Sequence, residues 1–187
     1  MSRQILSDKS RTPGMFTSIA HRYDFLNHAL SLNIDRHWRR KMVEVCDVKP
    51  GDHVLDVATG TGDVALEFGN RTSAARIMGL DPSSGMLDVA RAKVAVDDRA
   101  ALVCLIEGDA LALPFPDRSF DVVTIAFGLR NLPDYARGVS EMARVLRPGG
   151  RLVVLEFLPP RGAARLVFRS YIATVLPVLG RAVSGSP

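Results

Sequence analysis

The stretch His53-Val-Leu-Asp-Val-Ala-Thr-Gly-Thr-Gly-Asp63 constrains this chain more than any other. An aliphatic run ends in a carboxylate, passes through two glycines and enters a segment of helical pattern. Glycine lets a backbone turn sharply and come close to a ligand, and the first turn of a helix leaves N–H groups free to meet it. Strand, tight turn and helix in that order open a βαβ unit. Four more strand-like runs follow, at Arg76–Leu80, Leu102–Glu107, Asp121–Ala126 and Arg151–Phe157. Helical patterns separate them at Asp63–Gly69, Gly85–Val96 and Tyr135–Leu146, the last stopped by Arg147-Pro-Gly-Gly150. This alternation predicts a doubly wound, Rossmann-like α/β fold with a parallel sheet. A composition 47% hydrophobic but only 6% aromatic agrees, because buried parallel strands read as continuous aliphatic runs.

The organisation predicted is a single domain of three parts. Residues 1–49 form an N-terminal helical cap, 50–158 the α/β core that binds a cofactor, and 159–187 a helical segment near the substrate or a membrane, with a kink or end at Pro177. Cys46 and Cys104 lie far apart with no metal-ligand spacing, so no metal is expected and a reducing cytoplasm fits. The first residues lack the apolar core of a signal peptide. The net charge of +4 is unevenly spread: Arg36-His-Trp-Arg-Arg-Lys41 is one basic cluster, and no acid follows Glu156 while Arg161, Arg165, Arg169 and Arg181 do. These basic runs read first as solvated helix faces, and otherwise as a surface for anionic lipid or an acidic partner. Nucleic acid is not expected, since no recognition module interleaves aromatics with the basic residues.

Gly60, Gly62 and Ala65 also satisfy a dinucleotide fingerprint, so a nicotinamide-dependent oxidoreductase competes at this point. Asp56 argues against it: a carboxylate just before the glycines has no use beside a pyrophosphate, and suits a cationic ligand carrying an ammonium group. Asp81 ends the next strand, where it is placed to accept hydrogen bonds from ribose hydroxyls. Asp109 follows the third strand, placed to receive an adenine amino group while Ala110 lines the base pocket. Three acids at the carboxyl ends of three successive strands form one rim, which is where open α/β sheets bind ligands.

Asp56-x-Ala-x-Gly-Thr-Gly-Asp63, Leu80-Asp-Pro-Ser-Ser-Gly-Met-Leu87, the run from Gly108 to Asp121 and Thr124-Ile-Ala-Phe-Gly-Leu-Arg-Asn-Leu132 together resemble the quinone C-methyltransferases. That family comprises the demethylmenaquinone and 2-polyprenyl-6-methoxybenzoquinol methyltransferases. Met15-Phe-x-Ser-Ile-Ala-x-Arg-Tyr-Asp24, Glu156-Phe157 and Ser184-Gly185 are similar to it as well, so the resemblance covers about residues 13–185. Phe127-Gly-Leu-Arg-Asn131 and Arg22-Tyr-Asp24 are its narrower marks. The resemblance implies S-adenosylmethionine as cofactor, held around Asp56, Gly60, Thr61, Gly62, Asp81, Met86, Asp109, Ala110 and Ala126. The family often has Ser where Ala126 stands, so only a backbone contact is expected there. Ala58 replaces the Gly of many methyltransferases, which is tolerable if its φ is negative.

The substrate implied is a prenylated quinol, with Arg130 and Asn131 as its catalytic contacts and Tyr23 and Asp24 closing the pocket. Arg130 would stabilise the oxyanion of the deprotonated quinol while Asn131 orients it. Without the resemblance, an ion pair at a strand end is the second reading of Arg130. His21, His28, His37 and His53 read as surface or packing residues, and no general base stands out. The family runs some tens of residues past Ser184-Gly185, so the final strands are expected to be missing here and one sheet edge open. Alternatives are a methyltransferase for another small molecule, or a non-catalytic fragment that binds the cofactor or a partner chain, a second copy included, through that edge. For a bilayer-borne quinol, Ala163–Val183 is expected to lie at the inner membrane face or roof the tunnel.

Overall fold

The computed structural model describes residues 34–97 and 101–156. In chain order they form α1 (Ile34–Cys46), β1 (His53–Val57), α2 (Asp63–Arg71), β2 (Arg76–Asp81), α3 (Ser84–Val94), β3 (Val103–Glu107), β4 (Phe120–Ala126), a 3₁₀ turn (Leu129–Asn131), α4 (Tyr135–Val145) and β5 (Leu146–Leu155). The strands lie in the order β3-β2-β1-β4-β5, and every neighbouring pair is parallel. The chain therefore winds outward from β1 to β3, crosses back, and winds outward again through β4 and β5. The order reverses between β1 and β4, the switch point where such sheets leave a crevice at their carboxyl ends.

Alternation along the strands divides the core in two. Val54, Ile77, Val103 and Val122 face one side, where Val43 and Cys46 of α1 and Val64, Ala65 and Phe68 of α2 cover them. Leu55, Val57, Met78, Leu80, Val123 and Ile125 face the other, covered by Met142 and Val145 of α4 and by Leu113, Phe120 and Leu132. Both faces of β1, β2 and β4 are thus buried, which is why they read as unbroken aliphatic runs. Caps fix the helix starts. Ser83 Oγ accepts the Met86 N–H at 3.3 Å, and Asp134 Oδ1 accepts the Arg137 N–H at 3.0 Å.

β1 to β4 each match the sequence expectation to within one residue at either end. β5 differs, because it begins at Leu146, directly after α4, rather than at Arg151. Leu146 pairs with Phe120 and Arg151 with Val122, so Arg147–Gly150 is a bulge inside the strand, turned by Gly149 at φ 81°. Of the helical cap expected at residues 1–49, Ile34–Cys46 is α1, residues 47–49 lead on to β1 without helix, and residues 1–33 lie outside the described residues, as do Phe157 and the whole of Ala163–Val183. Among the described residues no helix is long and apolar enough to cross a membrane.

Candidate functional site

Register builds the site from below. Asp56 is aligned with Gly79 on β2 and Thr124 on β4, so all three sit at one level of the sheet. Thr124 Oγ1 donates to Asp56 Oδ1 at 2.8 Å. Gly79 has no side chain, and the space it leaves takes Thr59, whose Oγ1 would lie 3.0 Å from a Cβ built there. Thr59 therefore folds back and donates its hydroxyl to Asp56 Oδ2 at 2.6 Å. Asp56 is 1% exposed, and this burial pushes its carboxyl up to about 6 despite both hydroxyls and the Arg39 charge, which hold it down. A buried carboxylate thus underlies the turn and fixes it through a threonine.

The turn itself runs through Ala58 at φ 53°, Gly60 at φ 57° and Gly62 at φ 82°. The condition set on Ala58 is not met, since it holds the left-handed conformation that favours glycine, and the surrounding hydrogen bonds keep it there. The Thr59 N–H donates to the Leu80 carbonyl at 3.0 Å and the Gly60 N–H to Asp81 Oδ2 at 2.8 Å. A Cβ at Gly60 would meet nothing within 4 Å, so the turn borders open space, whereas one at Gly62 would lie 3.0 Å from Ala90 Cβ on α3. Gly60 therefore leaves its side of the turn bare, and Gly62 lets α2 and α3 close up.

Asp81 ends β2 at 7% exposure and also accepts the Ser83 N–H at 2.9 Å on Oδ1. Burial raises its carboxyl above the usual range, with the Ser83 and Gly60 N–H bonds working against that. Asp109 stands two residues beyond β3, exposed, with Oδ1 accepting the Leu111 N–H at 2.8 Å, while Ala110 is buried. Met86 is 2% exposed in the first turn of α3, Thr61 is buried beside Gly60, and Ala126 closes β4. The structure brings Asp56, Gly60, Thr61, Gly62 and Asp81 into one turn-and-rim unit. It places Asp109, Ala110 and Ala126 at the carboxyl ends of the flanking strands.

Beyond β4, Phe127 takes φ 56°, and the 3₁₀ turn Leu129–Asn131 follows it. Arg130 is paired with Glu156 at the end of β5: its side chain donates to Oε1 and its N–H to Oε2, the latter at 3.2 Å. The ion pair at a strand end is therefore present, and Arg130 is still half exposed at 46%. Its guanidinium carbon lies 6.0 Å from the centre of the Phe127 ring. Asn131 is half-buried and donates its N–H to the Gly128 carbonyl at 3.0 Å. Tyr23 and Asp24 lie outside the described residues. Among the described residues no group of three or more His, Cys, Asp or Glu side chains is arranged to hold a metal.

Sequence reasoning missed several residues here. Thr59 and Thr124 hold Asp56, and the signal was available in register: a hydroxyl three residues after the acid and another at the matching level of the next strand. The basic run Arg36–Lys41 is not simply a solvated face, because Arg39 within it is 8% exposed. Arg39 is buried because Asp35 and Asp63 neutralise it; Asp35 is four residues back on the same helix, a local pattern, whereas Asp63 belongs to α2 and leaves none. A groove of about 500 Å³ between α1 and α2 is lined by Arg36, Arg39, Asp63 and Glu67 and runs beside the turn.

Residues 4–186 match the model of the ubiE/COQ5 methyltransferase family. The chain is 51% identical over 173 residues to the demethylmenaquinone methyltransferase of Thermus thermophilus, covering 92% of this chain and 78% of that protein. It is 49% identical over 172 residues to the ubiquinone/menaquinone biosynthesis C-methyltransferase of Geobacter sulfurreducens, covering 91% of this chain and 67% of that one. Among solved structures, the YcgJ protein of Bacillus subtilis superposes with a TM-score of 0.64 at 28% identity, over 74% of this chain and 58% of its own. The chain belongs to the ubiE/COQ5 methyltransferase family and is an S-adenosylmethionine-dependent methyltransferase.

Proposed function

We propose that the chain methylates a ring carbon of a prenylated quinol, with demethylmenaquinol as the main acceptor and the benzoquinol of ubiquinone synthesis as a second. The observation that carries this reading is the junction of two features at one sheet end. An acid-underlaid turn with open space at Gly60 adjoins the Phe127–Asn131 segment, in a chain half identical to a demethylmenaquinone methyltransferase.

The donor set fits S-adenosylmethionine. The cofactor carries ammonium and sulfonium charges, and the negative charge of Asp56 and Asp81 favours a cation above the turn. Each Asp81 oxygen has accepted one N–H and keeps a lone pair for a ribose hydroxyl. Asp109 and Ala110 would receive the adenine, while Thr61, Met86 and the Ala126 backbone line the remaining wall. When bound, the cofactor supplies an activated methyl group, so the protein's task is alignment. Arg130 holds the oxyanion of the quinol, and Asn131 beside it sets the ring's orientation. The Phe127 ring and Glu156 fix where the guanidinium sits. A quinol of this kind resides in a bilayer, so the reading includes peripheral contact with a membrane surface.

Incubation with methyl-labelled S-adenosylmethionine and demethylmenaquinol tests the reading. Label in the ring, recovered as menaquinol, is the expected result. Cofactor binding with no label in the quinol, or transfer to oxygen rather than carbon, overturns it.

A further inference from the structure

The tryptophan and arginine at the centre of the basic run sit where the two halves of the site meet. Trp38 and Arg39 are adjacent in α1, and neighbouring helical residues point about 100° apart, so they reach different surroundings. Arg39 reaches the cofactor side. Its guanidinium lies 2.5 Å from Asp35 Oδ2 and 3.1 Å from Asp63 Oδ2, and Lys93 Nζ of α3 sits 2.6 Å from Asp63 Oδ1. Asp63 is the first residue of α2, directly after Gly62, so whatever holds Asp63 also holds the exit of the turn. Trp38 reaches the other side. Its ring centre is 6.3 Å from that of Phe127, tilted at 55°, and Arg130 rests 6.0 Å from the same Phe127 ring. Phe127 keeps a φ of 56° that a bulky residue adopts only when its surroundings enforce it.

We propose that Trp38 and Arg39 are positioning residues that tie both halves of the reaction site to one helix, Arg39 setting the glycine turn through Asp63 and Trp38 setting Arg130 through Phe127. The proposal rests on the reading that the turn binds the cofactor and Arg130 faces the quinol. Neither residue touches a reacting group. Arg39 is suited to its task because its Nη1 meets both carboxylates at once, and the guanidinium's longer reach and fixed plane hold that nitrogen where the shorter, flexible stem of lysine does not hold its ammonium. Trp38 is suited because an aromatic face fixes the tilt of Phe127 as an aliphatic chain does not.

The two arms separate experimentally. Arg39→Lys should weaken S-adenosylhomocysteine binding, measured by calorimetry, by about tenfold while turnover at saturating cofactor stays within about twofold. Trp38→Leu should do the reverse, lowering turnover about tenfold with cofactor affinity unchanged, and Trp38→Phe should restore most of the rate. Lys41→Gln, exposed on the same helix, should leave both unchanged. Trp38 is the sole tryptophan, so its emission reports the second arm directly and should shift in Arg130→Met if Arg130 acts on Trp38 through Phe127. Equal loss of affinity and turnover in both variants, in step with a lowered melting temperature, would mean a merely structural helix and overturn the proposal. So would unchanged cofactor affinity in Arg39→Lys. If the unmodified chain transfers no methyl group to a quinol, the substrate reading fails, while calorimetry and Trp38 emission still decide this proposal.

Discussion

Replacing Asp56 by asparagine should stabilise the chain near neutral pH and weaken its hold on the cofactor. The carboxyl lies in the sheet at 1% exposure, and desolvation raises it from 3.8 to about 6. The folded chain therefore binds this proton more tightly than the unfolded chain does. That stabilisation is fully present below about pH 4 and is lost as pH rises through about 6. A shift of this size corresponds to about 3 kcal/mol between the protonated and ionised forms. Asparagine keeps the shape and carries no charge, and the cost of rearranging the Thr59 and Thr124 hydroxyls is independent of pH. Apart from Asp81, which repels Asp56, and Cys46, raised to about 12 and so outside this range, other groups titrate alike in the two proteins, and the difference between them reads Asp56 with its coupling to Asp81. From pH 8 to pH 5 the unmodified chain should gain about 1.4 kcal/mol on Asp56→Asn, by integrating the two titrations. Urea unfolding of both proteins at pH 5, 6, 7 and 8 measures this. A difference constant to within about 0.4 kcal/mol across that range would refute the buried, raised carboxyl, as would a gain of opposite sign. Calorimetry at pH 8 should show S-adenosylmethionine bound more weakly by the variant, a stability gain at the expense of function.

Ala58→Gly should raise stability by about 1 kcal/mol, because the residue sits at φ 53° and glycine adopts that conformation without strain; thermal melting reads it as a rise of a few degrees. Gly128→Ala should destabilise by about 1–3 kcal/mol and displace the Arg130 segment, since its Cβ would lie 2.7 Å from that of Ala58; an unchanged melting temperature would contradict the packing. Glu141 is held down to about 2, first by its hydrogen bond from Arg144 and also by the Leu113 N–H. Its contribution is present above the ordinary 4.5 and is lost as pH falls towards 2, so Glu141→Gln should flatten acid unfolding in that window. Arg130→Lys should cut quinol turnover by about tenfold or more with cofactor affinity intact, because lysine keeps the charge without the planar fork.

The order of elements was legible because β1, β2 and β4 are buried on both faces and helices with clear stops separate them. Arg147–Gly150 shows where that reading fails. Pro148 and two glycines do end α4, but Leu146 pairs with Phe120 across β4, and only the bulge reconciles an early strand start with the register from Val122 onward. Pairing partners are set by the neighbouring strand, which a local pattern of stops and runs does not contain. Ala58 is a different failure. Its residue type argued for negative φ, and the chain around it won: Thr59 is anchored to Leu80 and Asp56, Gly60 to Asp81, and the residue between strand and turn takes the dihedral those bonds leave.

The acids of the rim were legible as residues, and what holds each one was not. Asp56 was legible as a carboxylate at a strand end, but its partners were not: its two oxygens accept Thr59 and Thr124 from the turn and the neighbouring strand. Arg39 lowers that same carboxyl and belongs to a helix that contributes no recognisable motif. A buried arginine shared by Asp35 and Asp63 would be costly unpaired, so the three must be placed together by the fold before the site exists. The glycine turn therefore depends on α1 for its electrostatics as well as on β1 and α2 for its shape. A fragment beginning at the first strand would keep every motif residue of the turn and Lys93 beside Asp63, and lose the second cation on Asp63, which is also the one that moderates Asp56.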